Sequence, residues 1–294
     1  MEIVIIGHLS RDLILTPEAK IEALGGGTAY AMLAPAIGAM GTGIVSCIGS
    51  DFEEAYLNTL QESGLDLSGL HTKGEKSTRF VNEYDESGRT QRVEAVAAPI
   101  EAEDILPKHL GASIYHFSPL TPNELSMECF ERVGVGNPLI CLDAQGYLRE
   151  IHEDKVVPRA WPDRDEILSK VDVAKFHESE LTAAFQAQSE VSAITEILEL
   201  GPRIVLLTRG RKGSTIYTRN TAIDVPLVLG TEQADSTGSG DVYTIGFLLE
   251  YMRTGDVKRA GLFGATCSSF NVQTHGPFDM PTREQVEDRM RAYL

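Results

Sequence analysis

Basic residues are in short supply in this chain. It carries 26 Lys and Arg against 43 Asp and Glu, a net charge of −17. A nucleic-acid surface needs clustered cations to meet phosphates, so that class of partner is excluded. Cysteine is scarce as well. The four residues Cys47, Cys129, Cys141 and Cys267 are scattered without a C-x-x-C pair, which excludes a zinc ribbon and a disulfide framework and reads as reduced core thiols. Long apolar runs are missing too. The stretch Gly25 to Ser50 carries no charge, but Pro35 and the turn glycines Gly41 and Gly43 interrupt it, so it predicts a buried helix and a buried strand instead of a membrane span. The opening MEIVIIGHLSRD has neither a basic n-region nor a long apolar h-region, and a cytoplasmic protein is expected. Two nucleotide-binding signatures are also absent. There is no Gly-Lys-Ser/Thr ending of a Walker A loop, and no G-x-G-x-x-G after the first apolar run, as a Rossmann oxidoreductase would need.

What the chain does have is DSTGSGDVYTIGFLLE, from Asp235 to Glu250. Small residues (Thr237, Gly238, Ser239, Gly240) lead into apolar positions at helical spacing (Val242, Ile245, Leu248, Leu249). A glycine turn that opens a helix gathers backbone N–H groups where the helix dipole also favours negative charge, which makes an anion cradle. Asp241 sits inside that cradle. A lone acid in a first helical turn is more often a cap. Directly after Gly-Ser-Gly, with Asp235 six residues earlier, the arrangement fits phosphoryl transfer better: a base for an acceptor hydroxyl beside donors that collect phosphoryl charge.

The segment resembles the C-terminal signature D-T-x-G-A-G-D of the ribokinase-like (pfkB-type) carbohydrate kinases. Asp235, Thr237, Gly238, Gly240 and Asp241 match it; Ser236 and Ser239 are small replacements. The resemblance extends along most of the chain. GGGTAYAMLA is similar to the N-terminal signature G-G-x-x-x-N-x-A, with Tyr30 where ribokinase-type members carry a sugar-binding Asn. KFHESE is similar to N-x-x-E, with His177 at the Asn and Glu180 at the acid. TRGRKG is similar to V-T-x-G-x-x-G, with Thr208, Gly210 and Gly213 in place, and D-x-Q-G-x-x-R (Asp143, Gln145, Arg149) looks like a run of the inositol-kinase-like branch.

The resemblance implies one ribokinase-like α/β domain over residues 1–294: three layers, α/β/α, with a central mostly parallel sheet and a small β-lid from about 13–24 and 72–98. It implies ATP-dependent phosphorylation of a hydroxyl on a small sugar or polyol. Asp241 would be the base, and the amides of Gly238, Ser239 and Gly240 the anion hole. Asp12, Gly26, Gly27, Tyr30 and Arg149 would hold the acceptor; Thr208, Gly210, Gly213 and Thr237 the nucleotide. Glu180 would order Mg²⁺ through water, and Asp235 with Ser236 would form a potassium-type site. A lid-mediated homodimer is a further implication. A nucleoside or myo-inositol kinase of the same fold is the near alternative, and a non-catalytic sugar or nucleotide sensor the distant one. Tyr30 weakens the case for free ribose.

Read from the residues alone, EIVIIG (2–7) is a buried parallel strand with Asp12 beyond its C-terminal end, where open α/β sheets bind ligands. Residues 77–97 alternate like a hairpin turning at Asp85–Gly88, and strands with two exposed faces suit a flap over a substrate. SIYHFSPL and PLICLDAQGYLR read as further strands. HEDKVVPRAWPDRDE (152–166) reads as a surface loop. Arg209 and Lys212 are candidate phosphate neutralisers, with an ordinary basic β-turn as the plainer reading.

Overall fold

The structure is a computed structural model that describes residues 1–85, 88–185, 187, 189–230 and 236–294. Among the described residues the strands are β1 (Ile3–Ile6), β2 (Ser10–Leu15), β3 (Lys20–Gly25), β4 (Thr42–Ile48), β5 (Asp66–Thr72), β6 (Arg79–Asp85), β7 (Gly88–Ala95) and β8 (Ile114–Phe117). They continue as β9 (Leu139–Asp143), β10 (Arg149–His152), β11 (Lys155–Pro158), β12 (Val173–His177), β13 (Ile204–Thr208), β14 (Ser214–Thr218) and β15 (Ala222–Val225). The helices are α1 (Leu33–Ala36), α2 (Glu54–Glu62), α3 (Met127–Val133), α4 (Arg164–Leu168), α5 (Glu178–Phe185), α6 (Glu190–Leu200), α7 (Ser239–Thr254), α8 (Val257–Asn271) and α9 (Arg283–Met290).

A 9-stranded sheet runs β15-β14-β13-β12-β9-β8-β1-β4-β5. From β13 to β5 the pairings are parallel, and β14 and β15 add an antiparallel edge. Both faces are covered, so the central strands are β-branched and apolar throughout instead of alternating. In β1, Ile3 and Ile5 pack with Val242, Ile245 and Phe263 of α7 and α8. Val4 and Ile6 pack on the other side with Phe130 of α3 and Ile194 and Ile197 of α6.

A smaller 6-stranded sheet runs β10-β11-β7-β6-β2-β3. The segments expected to form a lid supply β2, β3, β6 and β7. The sequence reading needs correction at 144–166. Residues 144–148 form a 3-10 turn, not a continuation of β9, and Arg149 opens a β10–β11 hairpin whose second strand pairs with β7. The supposed surface loop, 152–166, therefore holds β11 and the start of α4. Its Glu153 and Asp154 turn at φ 48 and 70, a left-handed conformation that short polar residues tolerate better than bulky ones. Helix α9 escaped the sequence reading although Thr282 and Gln285 make a capping box at its start. Among the described residues no helix is long and apolar enough to cross a membrane.

Candidate active site

A cleft of about 760 Å³ lies where the carboxyl ends of the parallel strands meet the smaller sheet and the start of α7. It gathers Asp12, Gly26, Gly27, Tyr30, Arg149, Glu180, Thr208, Gly210, Gly213, Thr237, Gly238, Ser239, Gly240 and Asp241, which the sequence placed in six separate stretches. Asp235 lies outside the described residues; Ser236, its companion in the expected potassium-type site, lines the cleft.

The start of α7 is built from both ends of the chain. Gly238 caps the helix in the left-handed region at φ 75, where only glycine is unstrained, and a Cβ there would collide with the ring of Tyr30. Tyr30 is 1% exposed, and its hydroxyl donates to the Thr237 carbonyl at 3.2 Å; Asn271 Nδ2 donates to the same oxygen at 2.9 Å. Tyr30 thus braces the turn and also lines the cleft. The Ser239 amide donates to the Ser236 carbonyl at 3.2 Å. Gly240 and Asp241 follow it in the first turn, where an α-helix leaves N–H groups without intrahelical acceptors.

Asp241 keeps one face open to the cleft. Ser118, just past β8, donates to its Oδ1 at 3.0 Å. A Cβ on Gly27 would stand 2.6 Å from the same oxygen and overlap the Ser118 hydroxyl, so glycine is required there for the backbone to approach the carboxylate. Burial and the neighbouring Asp143 raise the Asp241 pKa to about 6, against the opposing pull of Lys175, the Ser118 hydrogen bond and Arg149. A carboxylate poised there is still ionised at neutral pH and is a stronger base than an ordinary one.

At one end of the cleft, Asp12 is buried on β2 at the base of the smaller sheet, close beside Gly25 and Ser10. Phe80, Gln91 and Leu120 complete the wall, and the Arg149 guanidinium lies 6.0 Å from the Phe80 ring centroid. Tyr84 of β6 reaches across to Thr237, hydroxyl to hydroxyl at 3.4 Å, so the smaller sheet touches the turn before α7. At the other end, Pro226, Val228, Ala265 and Val272 give an apolar shelf beside Thr208, Gly210 and Gly213. Gly213 turns at φ 84 against the Val225 carbonyl.

Two cations suggested by the sequence are engaged elsewhere. Arg209 binds Glu190 at 2.6 Å and Thr215 at 2.7 Å, and exposed Lys212 pairs with Glu178 at 3.1 Å. Arg211 lines the cleft instead. Glu180 accepts the His177 amide at 2.7 Å, so it both caps α5 and borders the cleft. Sequence reasoning missed Ser118 and Lys175. The signal for Lys175 was a charge inside the otherwise apolar run VAKF (173–176).

The fold and this site define a class. The sequence matches the pfkB family carbohydrate kinase model over residues 1–283. The chain belongs to that family, is a kinase, and has the ribokinase-like α/β fold. It is 25% identical over 254 residues to a nucleoside kinase of Methanocaldococcus jannaschii, covering 85% of this chain and 80% of that one. It is 28% identical over 260 residues to a cytidine kinase of Thermococcus kodakarensis, covering 86% and 89%. In three dimensions it is similar to a pyrophosphate-dependent kinase of the ribokinase family solved with a pyrophosphate analog and myo-inositol, at TM-score 0.81 and 20% identity over 97% of this chain and 99% of the other.

Proposed function

We propose that the protein transfers the γ-phosphoryl group of ATP to a hydroxyl of a small sugar or polyol. The observation that carries this is Asp241: a carboxylate in the first turn of α7, held by Ser118, open to a cleft of about 760 Å³. Asp241 takes the acceptor proton, and the first-turn amides of α7 stabilise charge on the phosphoryl oxygens. Asp12 and the Gly26–Gly27 turn hold the acceptor's other hydroxyls, and the 226–230 shelf holds the base of the donor. Among the described residues no group of three His, Cys, Asp or Glu forms a metal cage. Mg²⁺ arriving on phosphates keeps most of its waters and needs one or two carboxylates, which Glu180 fits through its position on the cleft. When bound, the ion neutralises phosphate charge. The smaller sheet acts as a lid that excludes water, with the Tyr84–Thr237 contact as its latch, and the same sheet is the dimer contact in this reading.

A nucleoside acceptor is the second reading. Phe80 and Leu120 provide apolar surface that a polyol has little use for, and the curated relatives named above act on nucleosides. A sensor without turnover would have no use for a carboxylate in the anion cradle. The deciding experiment is ADP release from Mg-ATP across sugars, polyols and nucleosides, repeated with pyrophosphate as donor. Acceptor-dependent turnover supports the reading. ATP binding with no turnover on any acceptor or donor removes it in favour of the sensor.

A further inference from the structure

Strand β12 is buried on both faces, and its side chains alternate. Ala174 and Phe176 face α3 and α6; Val173 faces α7 and α8, and Lys175 shares its side. Lys175 is 4% exposed. A lone ammonium is strongly disfavoured in such a place unless paired. Its partner is Asp143, the residue opposite it in register on β9 and 4% exposed itself, with Nζ 2.9 Å from Oδ2. Replacing a buried ion pair by apolar residues is often neutral or stabilising, so packing gives no reason to keep this one.

The pair's position gives a reason. Both residues line the cleft, and the ammonium lies against the first turn of α7, where a Cβ on Gly240 would come within 3.1 Å of Nζ. An ammonium has three N–H donors, and one Asp143 oxygen occupies one of them. The titratable groups around it come from several elements: Asp143 on β9, Glu180 on α5 and Asp241 on α7, with Arg149 on β10 and, on β8, His116, which burial keeps neutral. Burial opposes the charge on Lys175, but Asp143, Glu180 and Asp241 outweigh it and hold the pKa above the ordinary lysine value.

We infer that Lys175 is a catalytic residue whose ammonium binds the transferred phosphoryl group at the first turn of α7, with Asp143 holding the side chain there between turnovers. The inference rests on the phosphotransfer reading above. In the step, the acceptor oxygen forms its bond to the γ-phosphorus as the bond to the bridging oxygen breaks. The electron pair leaves with ADP, the acceptor proton goes to Asp241, and Lys175 keeps its protons while its charge meets the non-bridging oxygens.

The test compares Lys175→Met, Lys175→Arg and the double variant Lys175→Met/Asp143→Asn with wild type, using Mg-ATP and an acceptor from the panel. Lys175→Met should lower kcat on the order of 10²-fold, the cost of removing one transition-state donor, with acceptor KM little changed. Lys175→Arg should recover part of that loss. The loss should persist from about pH 6 to about pH 9, because the missing contact is to phosphate and not to Asp241. The double variant has no unpaired buried charge, so it should fold and stay as slow as Lys175→Met. Wild-type kcat in Lys175→Met would overturn the inference. So would recovery at alkaline pH, which would mean that Lys175 acts only by keeping Asp241 ionised. Restored turnover in the double variant would make the pair purely structural. Calorimetric titration with Mg-ATP and Mg-ADP separates this from the kinase reading. If wild type turns over no acceptor, the phosphotransfer reading falls; a preference for ATP over ADP that Lys175→Met leaves unchanged overturns the inference on its own.

Discussion

Helix α7 carries a carboxylate near each end, and the two are kept in opposite ways. Glu250, 1% exposed, is answered on both oxygens: Arg259 donates at 2.6 Å and Arg283 at 2.7 Å. Arg283 also stacks on Phe263 at 4.6 Å and donates to the Ile37 carbonyl, so the cluster ties α1, α7, α8 and α9 together, away from the residues that line the cleft. Asp241 has a hydroxyl for its nearest donor, a second carboxylate close by, and an open face. A charge that holds a fold together is neutralised where it stands. One that does chemistry is left short of partners so that a substrate can complete the set.

The largest effect that contrast predicts is at Asp241. Asp241→Asn keeps the shape and the bond from Ser118 but removes the proposed base. Turnover should fall about 10³-fold while Mg-ATP affinity is retained, as stopped assays and calorimetry would measure. Near-normal turnover would remove Asp241 from the mechanism. The opposite pattern is expected at the other end of the helix. Glu250→Ala leaves two arginines facing one another and should cost about 3 kcal/mol in denaturant titration, with kcat of the folded enzyme unchanged. If Glu250→Ala lowers kcat more than stability, the division of labour along α7 is wrong.

The same contrast decides what was legible in the sequence. The glycine turn, Asp241 and the parallel core could be read because each is written in contiguous residues: a period, a turn, a helix start. Ser118, Lys175 and the β10–β11 hairpin could not. Ser118 meets Asp241 from 123 residues away, and Lys175 meets Asp143 through strand register. The hairpin is polar and half exposed, with a short turn through non-glycine residues at positive φ, so neither alternation nor glycine marks it. Tyr30 was read as an acceptor contact from its place in a motif, and only the fold reveals Thr237 and Gly238 against it.

A smaller effect separates activity from stability at Asp241. With its folded pKa raised to about 6, kcat/KM should fall as the pH drops through about 6, as the base becomes protonated. Stability runs the other way. A carboxyl whose folded pKa lies above its unfolded value favours the native state below the unfolded pKa, and that contribution is lost as the pH rises through the folded one. Asp241→Asn should therefore raise Tm at about pH 8 and leave it unchanged near pH 4, where the carboxyl is protonated in the native state. A lower Tm at the alkaline point would mean that Asp241 is a structural charge like Glu250.

The smallest effect is at Tyr30. Tyr30→Phe keeps the ring against Gly238 and removes one of two donors to the Thr237 carbonyl, leaving Asn271 in place. A single neutral hydrogen bond is worth about 1 kcal/mol, so the turn should loosen without unfolding. If Tyr30 braces the anion cradle, the loss appears in kcat, by about 5-fold, because misplaced amides are felt most in the transition state. If it contacts the acceptor, the loss appears in acceptor KM with kcat intact. Tyr30→Asn sharpens the choice. It restores the residue of the ribokinase-type motif but opens a void beside Gly238, so a brace predicts a larger fall in kcat than Tyr30→Phe gives, and an acceptor ligand predicts a gain for sugars.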